Sequence, residues 1–215
     1  MNGLFITFEG TEASGKSTQL TLLAERLRSL GYTVRALREP GGTPIGEEIR
    51  HTLIHSRENE AMTPETELLL MNASRAQLVR ELIRPSLAAG AIVLCDRFYD
   101  STAAYQGYGR RLDLKMVKAI VDVAVGDTRP DLTLLLLVRP KVGEERRRGR
   151  QSRNPAVRDR MEEADQGFFQ RVARGYEAIA AAEPGRVRKI DASRAIKTVS
   201  AAIWRHVRPI LPPAT

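Results

Sequence analysis

GTEASGKST, Gly10 to Thr18, is the stretch whose reading decides the fold. It has the spacing G-x-x-x-x-G-K-[ST], and it lies between a short β-rich apolar run, Leu4 to Phe8, and leucines recurring at helical period from Leu20 to Leu30. Strand, glycine-bounded loop and helix together are the arrangement in which backbone N–H groups and the positive end of a helix cradle phosphate oxygens. The whole stretch, Gly10, Thr11, Glu12, Ala13, Ser14, Gly15, Lys16, Ser17 and Thr18, is therefore read as the seat of a nucleoside triphosphate. Gly10 and Gly15 let the amides turn inward, Lys16 reaches the transferred phosphate, and Ser17 is placed to hold Mg²⁺.

Outward from the loop the alternation continues. Gly31 stops the first helix, Thr33 to Leu37 reads as a second strand, and Glu39 to Thr43 is a Pro/Gly loop before a short helix near Ile45 to Ile54. Thr63 as N-cap with Pro64 at the first helical position opens a long helix toward Ala89, with a kink expected at Pro85. Strands follow at Ala91 to Cys95, Leu132 to Val138 and Val187 to Ile190. Helical stretches lie at Ser101 to Gln106, Leu114 to Val125 and about Asp165 to Ala182, and a last helix closes the chain. Five apolar strands separated by helices predict an α/β fold: a five-stranded, mainly parallel sheet covered on both faces, with ligands outside the carboxyl ends of the strands.

The chain has 215 residues, 42% of them hydrophobic, enough for one substantial core, so residues 1–215 are read as a single domain. One cysteine, Cys95, excludes an internal disulfide framework, and Leu4 to Phe8 is too short for a secretory signal; a cytoplasmic protein is expected. No apolar run approaches the roughly 18 residues of a membrane span. The formal net charge of +8 raises nucleic acid as a partner. Against it, the arginines are dispersed and only 5% of residues are aromatic, a poor base-stacking platform. No nucleic-acid or membrane partner is expected. Lysines are scarce, and Lys16 is the only one before Lys115.

A phosphate loop alone does not separate kinases from GTPases or ATP-driven motors. Asp96 and Arg97 follow directly on the third strand, at the ligand edge of the sheet: Asp96 can act on Mg²⁺ through water and Arg97 can grip a second phosphate, unless the two are only an exposed ion pair. A guanine-specific switch would need an N-K-x-D segment, and no Asn-Lys pair occurs in the chain. A nucleic-acid motor would need a second lobe that this length lacks.

Several motifs in one order resemble the thymidylate kinases, and more closely their bacterial branch. They are the phosphate loop preceded by Phe8 and Glu9, REPGGT at Arg38 to Thr43, the helix segment around Arg75 and Gln77, DRFYDSTAAYQG at Asp96 to Gly107, and DRME at Asp159 to Glu162 followed by Phe168, Phe169 and Tyr176. The resemblance implies a P-loop nucleotide kinase fold, usually dimeric. It also implies transfer of the γ-phosphoryl group of ATP, with Mg²⁺, to thymidine monophosphate, a step in dTTP synthesis and DNA precursor supply.

By the same resemblance the acceptor site comprises Glu12, Met71, Arg75, Arg97, Ser101, Thr102, Tyr105 and Gln106. Arg75 lies beside the pyrimidine carbonyl, Thr102 near the ring N–H, Tyr105 against the deoxyribose and Glu12 near the 3′ hydroxyl. Met71 and Arg75 are four apart on one helix and share a face. The family usually has an aromatic residue at Met71, so this thioether is either a softer floor for the base or plain core. Lys16, Arg97 and Glu12 are the catalytic candidates of the cleft.

Some relatives carry an arginine directly after Glu12, where this chain has Ala13, so a further cation must come from elsewhere. Arg146 to Arg160, in which seven of fifteen residues are arginine, is read as a lid, its helical pattern interrupted by Gly149 and Pro155. Arg148, Arg150, Arg153 and Arg160 are its candidates, with Arg148 and Arg153 put forward for catalysis.

Overall fold

The computed structural model describes residues 3–153, 160 and 165–213. Five strands form one parallel sheet in the order β2-β3-β1-β4-β5: β1 Leu4–Glu9, β2 Val34–Arg38, β3 Ile92–Asp96, β4 Leu132–Leu137 and β5 Val187–Asp191. The middle strand β1 is buried along its whole length, which is why its sequence reads as a continuous apolar run. The chain leaves β1 for the edge strand β2, returns through β3 and then crosses to β4. The connections on either side of β1 therefore diverge, opening a crevice at its carboxyl end. The register sets Phe8 opposite Asp96 and Glu9 opposite Leu135, so the end of β3 comes level with the start of the phosphate loop.

Alternate residues of β1 feed opposite layers. Leu4, Ile6 and Phe8 pack with Leu20 and Leu27 of α1 (Lys16–Ser29) and with Val199 and Ile203 of α9 (Ile196–Val207). Phe5 faces the other way, onto Leu68 and Leu78 of α3 (Pro64–Leu78) and Val117 and Val121 of α6 (Leu114–Val125). A third cluster joins Leu135 and Val187 to Phe168, Val172 and Tyr176 of α8 (Gln166–Ala182). Each such side chain contributes about 1.5–3 kcal/mol of transfer free energy when fully buried.

The strands end one residue off their predicted limits, at Glu9, Arg38, Asp96 and Asp191 on the carboxyl side. Helix α2 spans Pro44–Arg50, capped by Thr43, and runs on as a wide π turn, His51–His55. Thr63 caps α3 as expected, its hydroxyl accepting from the Thr66 N–H. The long helix does not simply kink at Pro85. Its ladder widens to a π turn at Val79–Ile83 and resumes as α4, Arg84–Ala88, because Pro85 has no N–H to offer the carbonyl four residues back. The segment after β3 is a single α turn, α5 (Tyr99–Thr102), followed by a π turn, Ala103–Gly109.

A larger difference lies in the arginine-rich stretch, where α7 runs unbroken over Pro140–Arg153. Gly149 does not interrupt it. Its Cα faces open space, and a glycine cost of about 1 kcal/mol is small beside the propensity of the surrounding Glu, Arg and Gln. Pro155 and the rest of the expected lid, Arg160 apart, lie outside the described residues.

Candidate active site

The phosphate loop is shaped by left-handed backbone. Gly10 has φ 134, and a Cβ there would stand 2.3 Å from the Leu136 carbonyl oxygen, so no other residue fits. Ala13 adopts φ 57, an unfavourable conformation for a side chain of its kind and one that clusters at ligand-binding loops. Gly15, φ 88, is the N-cap of α1; it offers no capping side chain, and a Cβ added to it would meet nothing within 4 Å. No acidic residue occupies the first turn of α1. The helix amides are therefore left for an external anion.

Lys16 is buried at the base of this cradle. Its Nζ donates to the carbonyls of Gly10 (3.1 Å) and Thr11 (2.9 Å) and to Ser14 Oγ (3.5 Å). Burial, helped by repulsion from Arg97, lowers its pKa to about 8, with Glu12, Asp96 and Glu9 pulling the other way. From the next residue, Ser17 Oγ donates to Asp96 Oδ2 at 2.6 Å, across the join between α1 and β3. Two hard oxygens side by side at the phosphate seat fit Mg²⁺, which binds through one or two protein oxygens together with phosphates and water. No group of three or more His, Cys, Asp or Glu side chains that could hold a metal occurs among the described residues, so the phosphates would complete the coordination.

Arg97 opens the turn after β3. Its φ of 71 is unusual for arginine, and its N–H bonds the Phe8 carbonyl at 2.9 Å. Nη1 donates to Gly10 O (3.1 Å), Ser101 Oγ (3.1 Å) and the Tyr176 hydroxyl (3.3 Å). Nη2 meets Glu12 and, at 3.2 Å, the Tyr105 hydroxyl. Burial opposes its charge, but Tyr105, Glu12 and Tyr176 outweigh that and hold its pKa well above the ordinary value.

The acceptor-side residues gather against the same opening. A cleft of about 490 Å³ is lined by Glu12 to Thr18 on one side and by Met71, Arg75, Arg97, Ser101, Thr102, Tyr105 and Gln106 on the other. Met71 is half-buried and forms part of the wall, so it is not plain core. Arg75 is almost wholly enclosed. Its guanidinium forks onto Glu39 (2.9 and 2.7 Å) and also donates to Asn72 Oδ1 (2.8 Å), Thr102 Oγ1 (2.9 Å) and Phe98 O (3.2 Å). Every N–H of Arg75 is thus in use within the protein. Gln106 Nε2 is held by Glu67 at 2.8 Å.

Of the lid candidates, Arg148 is an exposed i,i+4 partner of Glu144 and does not line the cleft. Arg160 is also turned away from the phosphate loop, with its guanidinium on Glu67 and the Leu53 carbonyl. The side chains of Arg150 and Arg153 lie outside the described residues. Among the described residues of this stretch, the arginine that reaches the wall is Arg146, which also bonds the Ala192 carbonyl at 3.0 Å. Sequence reading passed over it, and over Arg50 and Ile54 on the opposite wall. Arg146 was visible as the first residue of the arginine-rich run, whereas Arg50 and Ile54 carry no local signal.

Comparison with known proteins bears on what binds there. Residues 8–203 match the profile of a family described as thymidylate kinase. The chain is 47% identical over 208 residues to the thymidylate kinase of Synechococcus sp. (strain JA-3-3Ab), covering 97% of both chains. It is 48% identical over 207 residues to that of Alcanivorax borkumensis, covering 96% of this chain and 97% of the other. A crystal structure of thymidylate kinase from Ehrlichia chaffeensis superposes with a TM-score of 0.77 at 33% identity, over 97% of this chain and 99% of that one. Likeness of this depth runs the length of both halves of the cleft, the phosphate loop and the wall that faces it, and so this chain belongs to the thymidylate kinase family.

Proposed function

We propose that the protein transfers the γ-phosphoryl group of ATP to thymidine 5′-monophosphate, giving the diphosphate. The observation that carries this reading is the shared cleft, which the phosphate loop with Lys16 lines together with Arg97, Arg75, Thr102 and Tyr105. Donor and acceptor both arrive as anions. Two unit charges about 4 Å apart repel by roughly 4 kcal/mol at an effective dielectric near 20, so cations must stand between the two phosphates. Lys16 exchanges its loop carbonyls for phosphate oxygens, and Arg97 takes the acceptor phosphate. Bound between Ser17 and Asp96, Mg²⁺ would neutralise charge on the donor phosphates. Of the lid arginines whose side chains are described, Arg146 is the one placed to add a further cation.

Around the acceptor, Met71 floors the base and Arg75, through a shared hydrogen, and Thr102 meet its polar edge. Tyr105 packs on the deoxyribose, while Glu12 lies near the 3′ hydroxyl. Ser101 and Gln106 complete this wall. Phosphoryl transfer needs positioning and charge neutralisation more than covalent chemistry, so no general base is assigned. Residues 1–215 act as one domain with 146–160 as its lid, and the product feeds dTTP synthesis in the cytoplasm. Among the described residues no helix is long and apolar enough to cross a membrane. Leu69 on α3 and Met116 and Val123 on α6 expose apolar side chains on two helices packed together, which supports a homodimer; sedimentation of a single 24-kDa species at micromolar concentration would exclude it.

The experiment is ATP consumption measured against a panel of nucleoside monophosphates. Thymidine monophosphate should give the highest kcat/KM, ahead of deoxyuridine, deoxycytidine and purine monophosphates. Equal or greater turnover with a purine acceptor would overturn the assignment.

A further inference from the structure

We propose that Glu9 is a positioning residue for Arg97: its carboxylate fixes the direction of two hydroxyls, those of Ser101 and Tyr176, so that their oxygens face the guanidinium as acceptors. The inference rests on the reading of Arg97 as the cation of the acceptor phosphate.

Glu9 ends β1 and is fully buried. Its Oε1 accepts from two backbone donors, Phe98 N (2.8 Å) and Ser101 N (3.2 Å). Its Oε2 accepts from Ser101 Oγ (2.6 Å) and from the Tyr176 hydroxyl (2.9 Å). Each hydroxyl has one proton, and a carboxylate can only accept. Both protons therefore point at Glu9, and the lone pairs of both oxygens are left for Arg97 Nη1, 3.1 and 3.3 Å away. The two hydroxyl oxygens lie 3.0 Å from each other, and with both protons committed neither is free to donate to the other. With Nη1 gripped by these oxygens and by Gly10 O, the Nη2 edge faces Glu12 and Tyr105 on the cleft wall.

A purely structural role does not explain a carboxylate at this position. An amide side chain could accept from Phe98 N and Ser101 N equally well, without a charge taken out of water. Burial, with repulsion from Asp100 next, pushes the Glu9 pKa up to about 7, so the charged form costs more here than in water and the carboxylate predominates only above that pH, where the assays below are run. What the carboxylate does and an amide cannot is accept from both hydroxyls at once.

Glu9→Gln tests this with almost no change of shape. The two backbone N–H groups still require an oxygen at Oε1, so the new NH₂ takes the place of Oε2 and donates to both hydroxyls. Their own protons must then turn toward each other or toward Arg97 Nη1, where donor meets donor. The expected result is a kcat/KM for thymidine monophosphate lower by about tenfold to a hundredfold, the range for losing hydrogen bonds to a charged group, with the KM for ATP unchanged. The same substitution in an Arg97→Ala background should lower turnover by less than about twofold, because interacting sites are non-additive.

Glu9→Asp, which keeps the charge, runs through the same cycle should the glutamine variant fail to fold by circular dichroism. Near-parental kcat/KM in folded Glu9→Gln, or for either variant an equal loss with and without Arg97, overturns the proposal. If Arg97→Ala alone turns over normally, it is instead the reading of Arg97 that fails.

Discussion

Arg75→Ala should cost stability and acceptor affinity together, and the structure separates the two. The guanidinium and Glu39 form an ion pair with side-chain exposures of 2% and 4%, joined through two nitrogens. Removing the arginine leaves a carboxyl enclosed without its cation, a class of change that costs about 3–5 kcal/mol. At 2–4 °C per kcal/mol for a domain of this size, the melting temperature should fall by about 6–20 °C. Burial already holds the Glu39 pKa above the ordinary carboxylate value, with Arg75 opposing it. Without Arg75 the folded state retains a proton that the unfolded chain gives up near pH 4.5, so the variant's stability must decline as pH rises above that value. Thermal unfolding at pH 6 and 8.5 measures this, with calorimetric titration of thymidine monophosphate read in parallel. A paired Glu39→Leu/Arg75→Met variant removes both charges at similar volume and should recover most of the stability but none of the affinity. A loss below about 1 kcal/mol in Arg75→Ala, or no recovery in the pair, would refute the view that this ion pair supports the acceptor wall.

Two further outcomes follow from the cations of the cleft. Lys16→Ala and Arg97→Ala should each lower kcat at least about a hundredfold with circular dichroism unchanged, since each removes a charge contact to the transferred or accepting phosphate; near-normal rates in either would remove that residue from the mechanism. Lys16, with its pKa lowered to about 8, should make ATP affinity fall as pH rises through that value, because only the ammonium binds phosphate, and ATP binding above pH 8 should take up a proton. An affinity flat from pH 7 to 9.5 in calorimetry would show that Lys16 does not carry the interaction.

How much of this was legible in the sequence depended on how local the determining interaction was. The strands were visible because β1, β3 and β4 are buried on both faces and read as short unbroken apolar runs. The phosphate loop was visible because the cradle is built from consecutive residues whose glycines sit where φ must be positive. Helix α7 was not, since Arg146 to Arg153 has no apolar period and its glycine looked like a break. Apart from Asn72, one helical turn away, the partners of Arg75 are distant, Glu39 lying 36 residues before it and Thr102 27 after it, and no spacing rule joins them. Glu9 could be noted as a motif residue, but its link to Tyr176 spans 167 residues and exists only once α8 docks on the sheet.

Those long-range partners share a chemical logic. Lys16 is engaged by two carbonyls and a hydroxyl, Arg97 by Glu12 and four neutral oxygens, and Arg75 by Glu39. A cleft with three buried cations and no such acceptors would carry a desolvation cost against folding. Giving each cation a protein acceptor offsets that cost and also turns substrate binding into an exchange, in which a phosphate oxygen must outcompete a carbonyl or a carboxylate. Exchange favours ligands bearing full negative charge at the right place. A nucleoside without its phosphate gains nothing at Arg97 that Glu12 does not already provide, whereas a monophosphate brings charge enough to displace it. If Arg97 takes the acceptor phosphate as proposed, selectivity for a phosphorylated acceptor comes from the same ion pairs that make the fold tolerable, and discrimination among bases falls to Met71 and the Arg75–Thr102 edge.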